Sequence, residues 1–409
     1  MKRGIILIGL LAALLLSSCS LLKRGAFSSP EVSTGLDILV RDDFIALRGK
    51  QIGLIANHSA VDRQGKSILD LMLASPNVTL KALFAPEHGF GGSADEVVKN
   101  STDEKTGLAI YSLYDDTKRP TADELKGIDC LIFDIQDIGA RFYTYTSSLA
   151  MCMEEAAVHN IEFIVLDRPN PIGGLRVDGP IQDPDLYKKF TGYFPMPIIH
   201  GMTIGELAGM YNEYYGIQCQ LTVIEMEGWR REMPFEETRL PWINPSPNIR
   251  NVTQAILYPA TALVEAWDSN VSVGRGTETP FEILGAPWIN AEQFAGELAA
   301  RAIPGVSIAP AHFTPDSAKF KDEECHGVKV TITNRSEFDT IGLGLNILSV
   351  LTKMYPDTFK LEPNHGLVGS MDVIKRIRSG EPVPEIRNSY AKELGEFIRN
   401  RNRFILYRL

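Results

Sequence analysis

The sequence predicts an α/β protein with a doubly wound, mostly parallel sheet, followed by a smaller α+β region. Short apolar runs alternate with amphipathic stretches over the first 250 residues. Runs such as IGLIA and FIVLD are apolar without alternating polar residues, which is typical of strands that are buried on both faces of a parallel sheet. A proline-rich segment, residues 240–251, then separates this pattern from a different one.

The strands and helices of the first region follow in the order expected of strand–helix–strand units. The predicted strands are Gln51–Ala56, Thr79–Ala85, Cys130–Ile135, Glu162–Asp167 and Leu221–Met226. The amphipathic stretches between them are Ser67–Leu73, Thr146–His159 and Thr203–Tyr215. In the last stretch, Thr203 comes three residues before Glu206, which is the pattern of a helix capping box. We therefore expect a first domain over residues 38–250.

The second region has fewer strands and no regular alternation, so it predicts a smaller α+β domain over residues 251–409. It begins with a loop-like stretch, Tyr258–Trp288. The predicted elements after it are a helix at Ala291–Ala302, strands at Val306–Ala309 and Gly327–Thr333, a helix at Thr340–Lys353 and a terminal helix at Ser389–Asn400.

The N-terminus has the pattern of a bacterial lipoprotein signal. Two basic residues precede an apolar run, Ile5–Leu16, which is too short to span a bilayer comfortably. The following LSSC resembles a lipobox, in which Cys19 is lipidated and becomes the first mature residue. We expect a signal peptide over residues 1–18, a tether over residues 19–37, and a lipid-anchored cell-envelope protein on the periplasmic side.

Charge and cysteine usage exclude several classes of partner and site. The chain has 51 acidic and 41 basic residues, so electrostatic binding of nucleic acid or anionic lipid headgroups is not expected. The cysteines after Cys19 are widely spaced and form no C-x-x-C pair for zinc or redox chemistry. Cys130 and Cys152 lie in apolar segments and are expected to pack as small hydrophobic residues, while a Cys219–Cys325 disulfide is permitted.

Polar residues follow four of the predicted strands at the point where each strand ends. In an open parallel sheet, ligands bind outside the carboxyl ends of the strands. We therefore expect a ligand cleft lined from these loops. The candidate residues at the strand ends are Asn57, Glu87, His88, Asp134, Gln136, Arg168 and Asn170.

The stretch FAPEHGFGG, residues 84–92, is the candidate for catalysis. Pro86 fixes the backbone before Glu87, and the glycines that follow allow close approach of a ligand. A carboxyl group in a partly desolvated crevice is suited to general acid catalysis, whereas the ordinary alternative is a surface or capping glutamate. His88 is expected to contact ligand or orient a neighbour, because Glu-His lacks the helical histidine spacing of zinc hydrolases.

The stretch DIQDIGARFYTY, residues 134–145, has the composition of a carbohydrate pocket. Aromatic rings such as Tyr143 pack on sugar faces, carboxylates bind hydroxyls, and Arg141 suits an acidic group. The alternative for Arg141 is a structural ion pair with Asp134 or Asp137. Phosphate-binding loops, the G-x-S-x-G elbow and a G-x-G-x-x-G turn after the first strand are absent from the sequence, so we expect acid–base chemistry from carboxylates and no cofactor.

Six ordered motifs give a resemblance that covers the chain from about residue 45 to its end. They are FAPEHGF, DIQDIGARFYTY, LDRPNPIGG, HGMTIGELA, PSPNI and SVGRGTETPFEILGAPW. The chain resembles the exo-β-N-acetylmuramidase family NamZ, formerly a domain of unknown function. The resemblance implies a glycoside hydrolase that releases N-acetylmuramic acid from the non-reducing end of peptidoglycan fragments. It also implies a Rossmann-like first domain and an active-site cleft between the two domains.

The resemblance places the catalytic glutamate on Glu87. It further implies pocket residues at Arg141, Tyr143, Arg168, Asn170, Asn248 and Arg275. The stretch EAWDSNVS, residues 265–272, departs from the family pattern and leaves the pocket shape there open. Two alternative functions remain for the chain: a non-catalytic lipoprotein that binds peptidoglycan, and an N-acetylglucosaminidase.

The sequence does not identify the second carboxylate of the reaction. A glycosidase ordinarily uses two carboxyl groups, but a 2-acetamido sugar can supply its own nucleophile, so retaining, inverting and substrate-assisted mechanisms all remain possible. The candidates are Asp134, Asp137, Asp167 and Glu265. A guanidinium binds the lactyl carboxylate of muramic acid in two-point fashion, and the candidate readers are Arg141 and Arg275.

Overall fold

A seven-stranded, mostly parallel sheet forms the centre of the computed structural model, which describes residues 31–92, 99–115 and 117–407. The strands are β1 Gln51–Ala56, β2 Thr79–Ala85, β3 Ser101–Thr102, β4 Ala109–Ser112, β5 Cys130–Asp134, β6 Glu162–Leu166 and β7 Gln220–Ile224. Their order is β3-β4-β2-β1-β5-β6-β7, and within it only the β3–β4 pair is antiparallel. The chain winds outward in both directions from β1 and β5, which confirms the predicted α/β class.

Helices cover both faces of this sheet. They are α1 Gly35–Arg41, α2 Ile68–Ala74, α3 Tyr145–His159 and α4 Ile204–Glu213. Alternate residues of each strand point to opposite faces, so Ile132 packs with α1 and α2 while Phe133 packs with α3 and α4. The predicted capping box is confirmed, since the Glu206 N–H donates to the Thr203 hydroxyl at 3.2 Å and the Thr203 N–H to the Glu206 carboxylate at 3.0 Å.

The last part of the stretch predicted as a tether is folded. The Ser33 N–H donates to the Glu227 carbonyl at 2.9 Å, Val32 is fully buried, and α1 begins at Gly35. These contacts form because Val32 and the apolar residues of α1 bury their side chains, so the chain is packed well before residue 37. The predicted signal peptide and Cys19 lie outside the described residues.

The C-terminal region is smaller and has its own antiparallel sheet, in the order β8-β10-β9. Its elements are α5 Val252–Thr261, β8 Ile283–Ala286, α6 Ala291–Ala299, β9 Val306–Phe313, β10 Cys325–Ile332, α7 Thr340–Met354, α8 His365–Val368, α9 Met371–Arg378 and α10 Val383–Arg401. The prediction that Tyr258–Trp288 is loop-like is wrong at both ends, since α5 runs to Thr261 and β8 lies before Trp288. Asn251 caps α5 by accepting from the Gln254 N–H at 2.9 Å.

One hydrophobic core runs through both regions and joins residues such as Phe133, Leu257 and Phe294. Cys130 and Cys152 are buried within apolar surroundings, as predicted, and Cys219 and Cys325 are buried and unpaired, so the permitted disulfide is not formed. Within the described part of the chain, no helix has both the length and the apolar composition needed to cross a bilayer.

Candidate active site

A cavity opens beyond the carboxyl ends of β2 and β5. Its volume of about 880 Å³ is in the range of small-ligand sites. One side of it is formed by the loop after β2, the loop between β5 and α3, and the segment 246–249. The other side comes from the C-terminal region: α5, residues 265–276 and the loop between β9 and β10. Both regions therefore contribute to one concave site, next to the point where the strand order reverses.

Glu87 is carried into the cavity wall by a tight turn at the end of β2. The Gly89 N–H donates to the Pro86 carbonyl at 3.0 Å, so Glu87 and His88 are the two central residues of the turn. His88 has a φ of 72°, a conformation that is usually occupied by glycine. A non-glycine residue held in this region stores about 1–3 kcal/mol of strain, which is common at functional sites.

Two hydroxyl groups hold the Glu87 carboxyl group. Thr144, at the start of α3, donates its hydroxyl to Glu87 Oε2 rather than capping its own helix. The Tyr114 phenol is also hydrogen bonded to Glu87, and burial together with this nearby carboxylate raises the pKa of Tyr114 well above its ordinary value. The carboxyl group is thus fixed in orientation from two sides.

Aromatic rings form a wall of the same cavity. Tyr143 packs edge-on against Tyr145 at 4.9 Å between ring centroids, and Tyr258 packs against Phe281 at 4.8 Å. The Tyr145 hydroxyl donates to the Pro245 carbonyl at 2.7 Å, which fixes its ring. At the edge of the cavity, the side chain of Trp267 is 96% exposed. Such flat apolar surfaces suit the C–H faces of a sugar ring.

Glu265 and Arg275 form an ion pair on the opposite side of the cavity. Arg275 Nη2 donates to Glu265 Oε2 at 3.1 Å, and Nε donates to the other carboxylate oxygen. The guanidinium also lies 5.3 Å from the centroid of the Phe281 ring. Gly274 and Gly276 both have positive φ, as a loop that bends around Arg275 requires. Lys319 lines the cavity as well, and burial lowers the pKa of its amine.

The structure brings together half of the predicted site residues. Those that line the cavity are Glu87, His88, Tyr143, Asn248, Glu265 and Arg275. The other six do not line it and are buried beneath or beside it. They are Asn57, Asp134, Gln136, Arg141, Arg168 and Asn170.

Asp134 and Arg168 are a buried structural pair rather than ligand contacts. Arg168 Nη2 donates to Asp134 Oδ2 at 2.8 Å and to the Val61 carbonyl at 3.0 Å, so it ties the loop after β1 to β5. Burial raises the pKa of Asp134, and the adjacent Arg168 opposes this rise. A buried guanidinium and carboxylate stay charged only when they satisfy each other, which explains why neither reaches the cavity.

Three more predicted site residues are hydrogen-bonded inside the protein and do not line the cavity. Asn57 donates to the Tyr145 hydroxyl at 3.1 Å, so it supports the aromatic wall from behind. Gln136 donates to the Pro169 carbonyl at 2.8 Å, and Asn170 donates to the Met202 carbonyl at 2.9 Å. These amides satisfy backbone groups of the loops that surround the cavity, as buried polar groups must.

Arg141, which was expected to contact substrate, is buried and does not line the cavity. Its side chain is fully buried and donates to three backbone carbonyls: Met196 at 3.0 Å, Pro180 at 3.3 Å and Leu367 at 2.5 Å. Burial lowers the pKa of Arg141 to about 9, so the group is charged at neutral pH. The guanidinium joins the loop after β5 to α8 across a wide gap in sequence.

Of the four candidates for a second carboxylate, only Glu265 lines the cavity. Asp137 accepts from the Gly139 N–H at 2.7 Å, and Asp167 accepts from the Thr203 and Tyr407 hydroxyls, each at 2.7 Å. These bonds belong to turn and helix-end structure. Lys319 and Tyr258 also line the cavity but were not predicted as site residues, because each lies in a C-terminal segment that does not follow a predicted strand of the large sheet.

Comparisons with known proteins agree with this architecture. The family model "Exo-beta-N-acetylmuramidase NamZ, N-terminal" matches residues 52–253, and its C-terminal counterpart matches residues 256–407. The peptidoglycan beta-N-acetylmuramidase NamZ of Bacillus subtilis is 42% identical, over 99% of this chain and 98% of the relative. A DUF1343 family protein of Bacteroides fragilis has a TM-score of 0.86 at 36% identity, covering 92% of this chain and 99% of that structure. A second DUF1343 protein of that organism has a TM-score of 0.75 at 31% identity, with the same coverage of both chains. The chain therefore belongs to the exo-β-N-acetylmuramidase NamZ family of glycoside hydrolases.

Proposed function

We propose that this chain releases N-acetylmuramic acid from the non-reducing end of peptidoglycan fragments, with Glu87 as the general acid. The observation that carries the proposal is the position of Glu87, held by Thr144 and Tyr114 in the wall of an aromatic-lined cavity. The Bacillus subtilis relative is a peptidoglycan beta-N-acetylmuramidase by name, and we assign the same substrate class to this cavity.

In the proposed mechanism, Glu87 donates its proton to the glycosidic oxygen as the bond to the anomeric carbon breaks. Positive charge then develops on the sugar ring, and the carboxylate of Glu265 stabilises it from the C-terminal side of the cavity. A water molecule then forms the new bond to the anomeric carbon and loses a proton to a carboxylate of the site, so the sugar leaves as free N-acetylmuramic acid. The rings of Tyr143 and Tyr258 pack against the face of the sugar. Trp267, at the edge, is placed to pack against the remainder of the glycan chain.

The direct test of this function is product release by the full chain. We expect free N-acetylmuramic acid from a disaccharide with that sugar at the non-reducing end, measured by mass spectrometry. The disaccharide of opposite order, with N-acetylglucosamine at the non-reducing end, should remain intact. Binding without release would instead favour a glycan-binding protein, and release from the opposite disaccharide would favour an N-acetylglucosaminidase.

We further propose that Arg275 and Lys319 recognise the lactyl carboxylate, since Arg141 does not line the cavity. Muramic acid differs from glucosamine by this group, and a charged hydrogen bond to it contributes about 1.5–3 kcal/mol. We expect Arg275→Met or Lys319→Met to lower the ratio of kcat/KM for N-acetylmuramide over N-acetylglucosaminide by at least ~10-fold. An unchanged ratio in both variants would place the recognition elsewhere.

The lipid anchor on Cys19 and the periplasmic side of the envelope are proposals that rest on the sequence pattern of residues 1–19. A lipid-anchored enzyme would meet peptidoglycan fragments close to the membrane. The proposed activity does not depend on this placement.

A further inference from the structure

Two histidines face each other on the C-terminal sheet, outside the cavity. His312 on β9 is the cross-strand partner of His326 on β10, and their Nδ1 atoms lie 2.8 Å apart. Glu324 is the last residue of the loop before β10, two positions from His326. The ligand atoms of His312, Glu324 and His326 all lie within 4.8 Å of one another.

This arrangement matches the demands of a transition metal ion. Imidazole and carboxylate groups are ligands for divalent ions such as Zn²⁺ and Ni²⁺. With bonds of about 2.1 Å, the ligand atoms of a tetrahedral ion lie roughly 3.4 Å apart, so small side-chain rotations would suffice here. The Nδ1 atoms of the two histidines face each other, and three protein ligands would leave one position for water.

A second carboxylate supports the outer nitrogen of His312. Glu292, in the first turn of α6, places Oε1 at 3.7 Å from His312 Nε2. A carboxylate beside the outer ring nitrogen favours the tautomer with its proton there, which leaves Nδ1 with a lone pair for a metal ion.

The cluster lies at the base of a loop that reaches the cavity. The loop, residues 314–324, joins β9 to β10, and its members Ser317, Ala318 and Lys319 line the cavity. It contains three non-glycine residues with positive φ, Ala318, Phe320 and Asp322, at 61–62°. Such residues persist only where the surrounding structure holds them in place.

The tip of this loop packs against the loop that carries Arg275. The Asp316 N–H donates to the Gly276 carbonyl at 2.8 Å. A Cβ added to Gly276 would lie 2.6 Å from the Ser317 nitrogen, so the two backbones are in close contact. A link across the base of the loop would therefore restrain a wall of the cavity.

We propose that His312, His326 and Glu324 bind one divalent transition metal ion, and that this ion closes the base of the 314–324 loop. The site is separate from the cavity and takes no part in the proton transfer assigned to Glu87. Its function is to hold Lys319 and the neighbouring wall in the arrangement described above.

Calorimetric titration of the full chain with Zn²⁺ tests the site. We expect one equivalent to bind, with affinity reduced at least ~10-fold in His312→Asn and His326→Asn. Glu323→Gln, which removes a neighbouring carboxylate outside the cluster, is the matched control and should bind as the original chain does. Zn²⁺ should also slow amide hydrogen exchange over residues 314–324 in the original chain but not in His312→Asn.

Three outcomes would overturn the proposal. Zn²⁺ uptake without saturation, or equal uptake by the original chain and both histidine variants, would exclude the site. Saturable uptake with no slowing of exchange in the loop would exclude its role there. These measurements do not use turnover. A failure of the metal-site proposal can therefore be distinguished from a failure of the proposed glycosidase activity.

Discussion

Glu87→Gln is expected to reduce kcat on a disaccharide that ends in N-acetylmuramic acid by at least ~10²-fold, the scale of a general acid contribution. The amide has nearly the shape of the carboxyl group and still accepts a hydrogen bond from Thr144, so the fold should persist. The loss should be much smaller on a 4-nitrophenyl muramide, because nitrophenolate departs without needing a proton. The measurement is steady-state kinetics on both substrates, with thermal unfolding as the check of folding.

Glu278→Gln is a matched control for this experiment. Glu278 is exposed, and it lies three residues from Arg275 but does not line the cavity. Its replacement should leave both rates unchanged. If Glu87→Gln kept its full rate on the disaccharide, or lost the same factor on both substrates, Glu87 would not be the general acid.

Arg141→Met is expected to destabilise the fold by at least about 3 kcal/mol, because two buried carbonyls and one half-buried carbonyl lose their donor at a cost of about 1–3 kcal/mol each. The affected carbonyls belong to Met196, Pro180 and Leu367, on three separate segments of the chain. Denaturant unfolding of the full chain, followed by fluorescence, measures the change.

Arg275→Met is the comparison for this prediction. The Arg275 side chain is about a third exposed, and its ion pair with Glu265 is open to the cavity, so a loss of less than about 1 kcal/mol is expected. The two substitutions should thus have different effects: Arg141→Met should lower stability, and Arg275→Met should lower sugar selectivity. Normal stability of Arg141→Met together with altered sugar selectivity would reverse the assignment.

The strands of the large sheet were predictable because they are buried on both faces. From apolar runs without alternation, β1 and β2 were predicted with the observed bounds. The predicted bounds of the other three strands differ from the observed ones by at most two residues. α5 was missed because Pro259 and the preceding proline-rich segment suggest a break, yet Asn251 caps the helix and its apolar face is buried. β8 was missed because it has four residues and packs through backbone pairing with β10.

The site was predictable only in part, for a reason that Arg168 illustrates. The sequence shows that a polar residue follows a strand, but not whether its partner will be a ligand or another buried group. In the structure, Arg168 donates a hydrogen bond to Asp134 and Asn57 donates one to Tyr145, so both stabilise the scaffold of the cavity. Lys319 reaches the cavity from a distant loop, and nothing local in the sequence indicates that position.

Glu87 is expected to face the glycosidic oxygen of a muramic sugar bound in this cavity. A crystal structure of Glu87→Gln with the intact disaccharide tests it most directly. We expect the terminal sugar to lie against Tyr143 and Tyr258, with the glycosidic oxygen about 2.6–3.2 Å from the amide at position 87. A sugar bound outside the cavity, or a glycosidic oxygen that contacts a different carboxyl group, would contradict it.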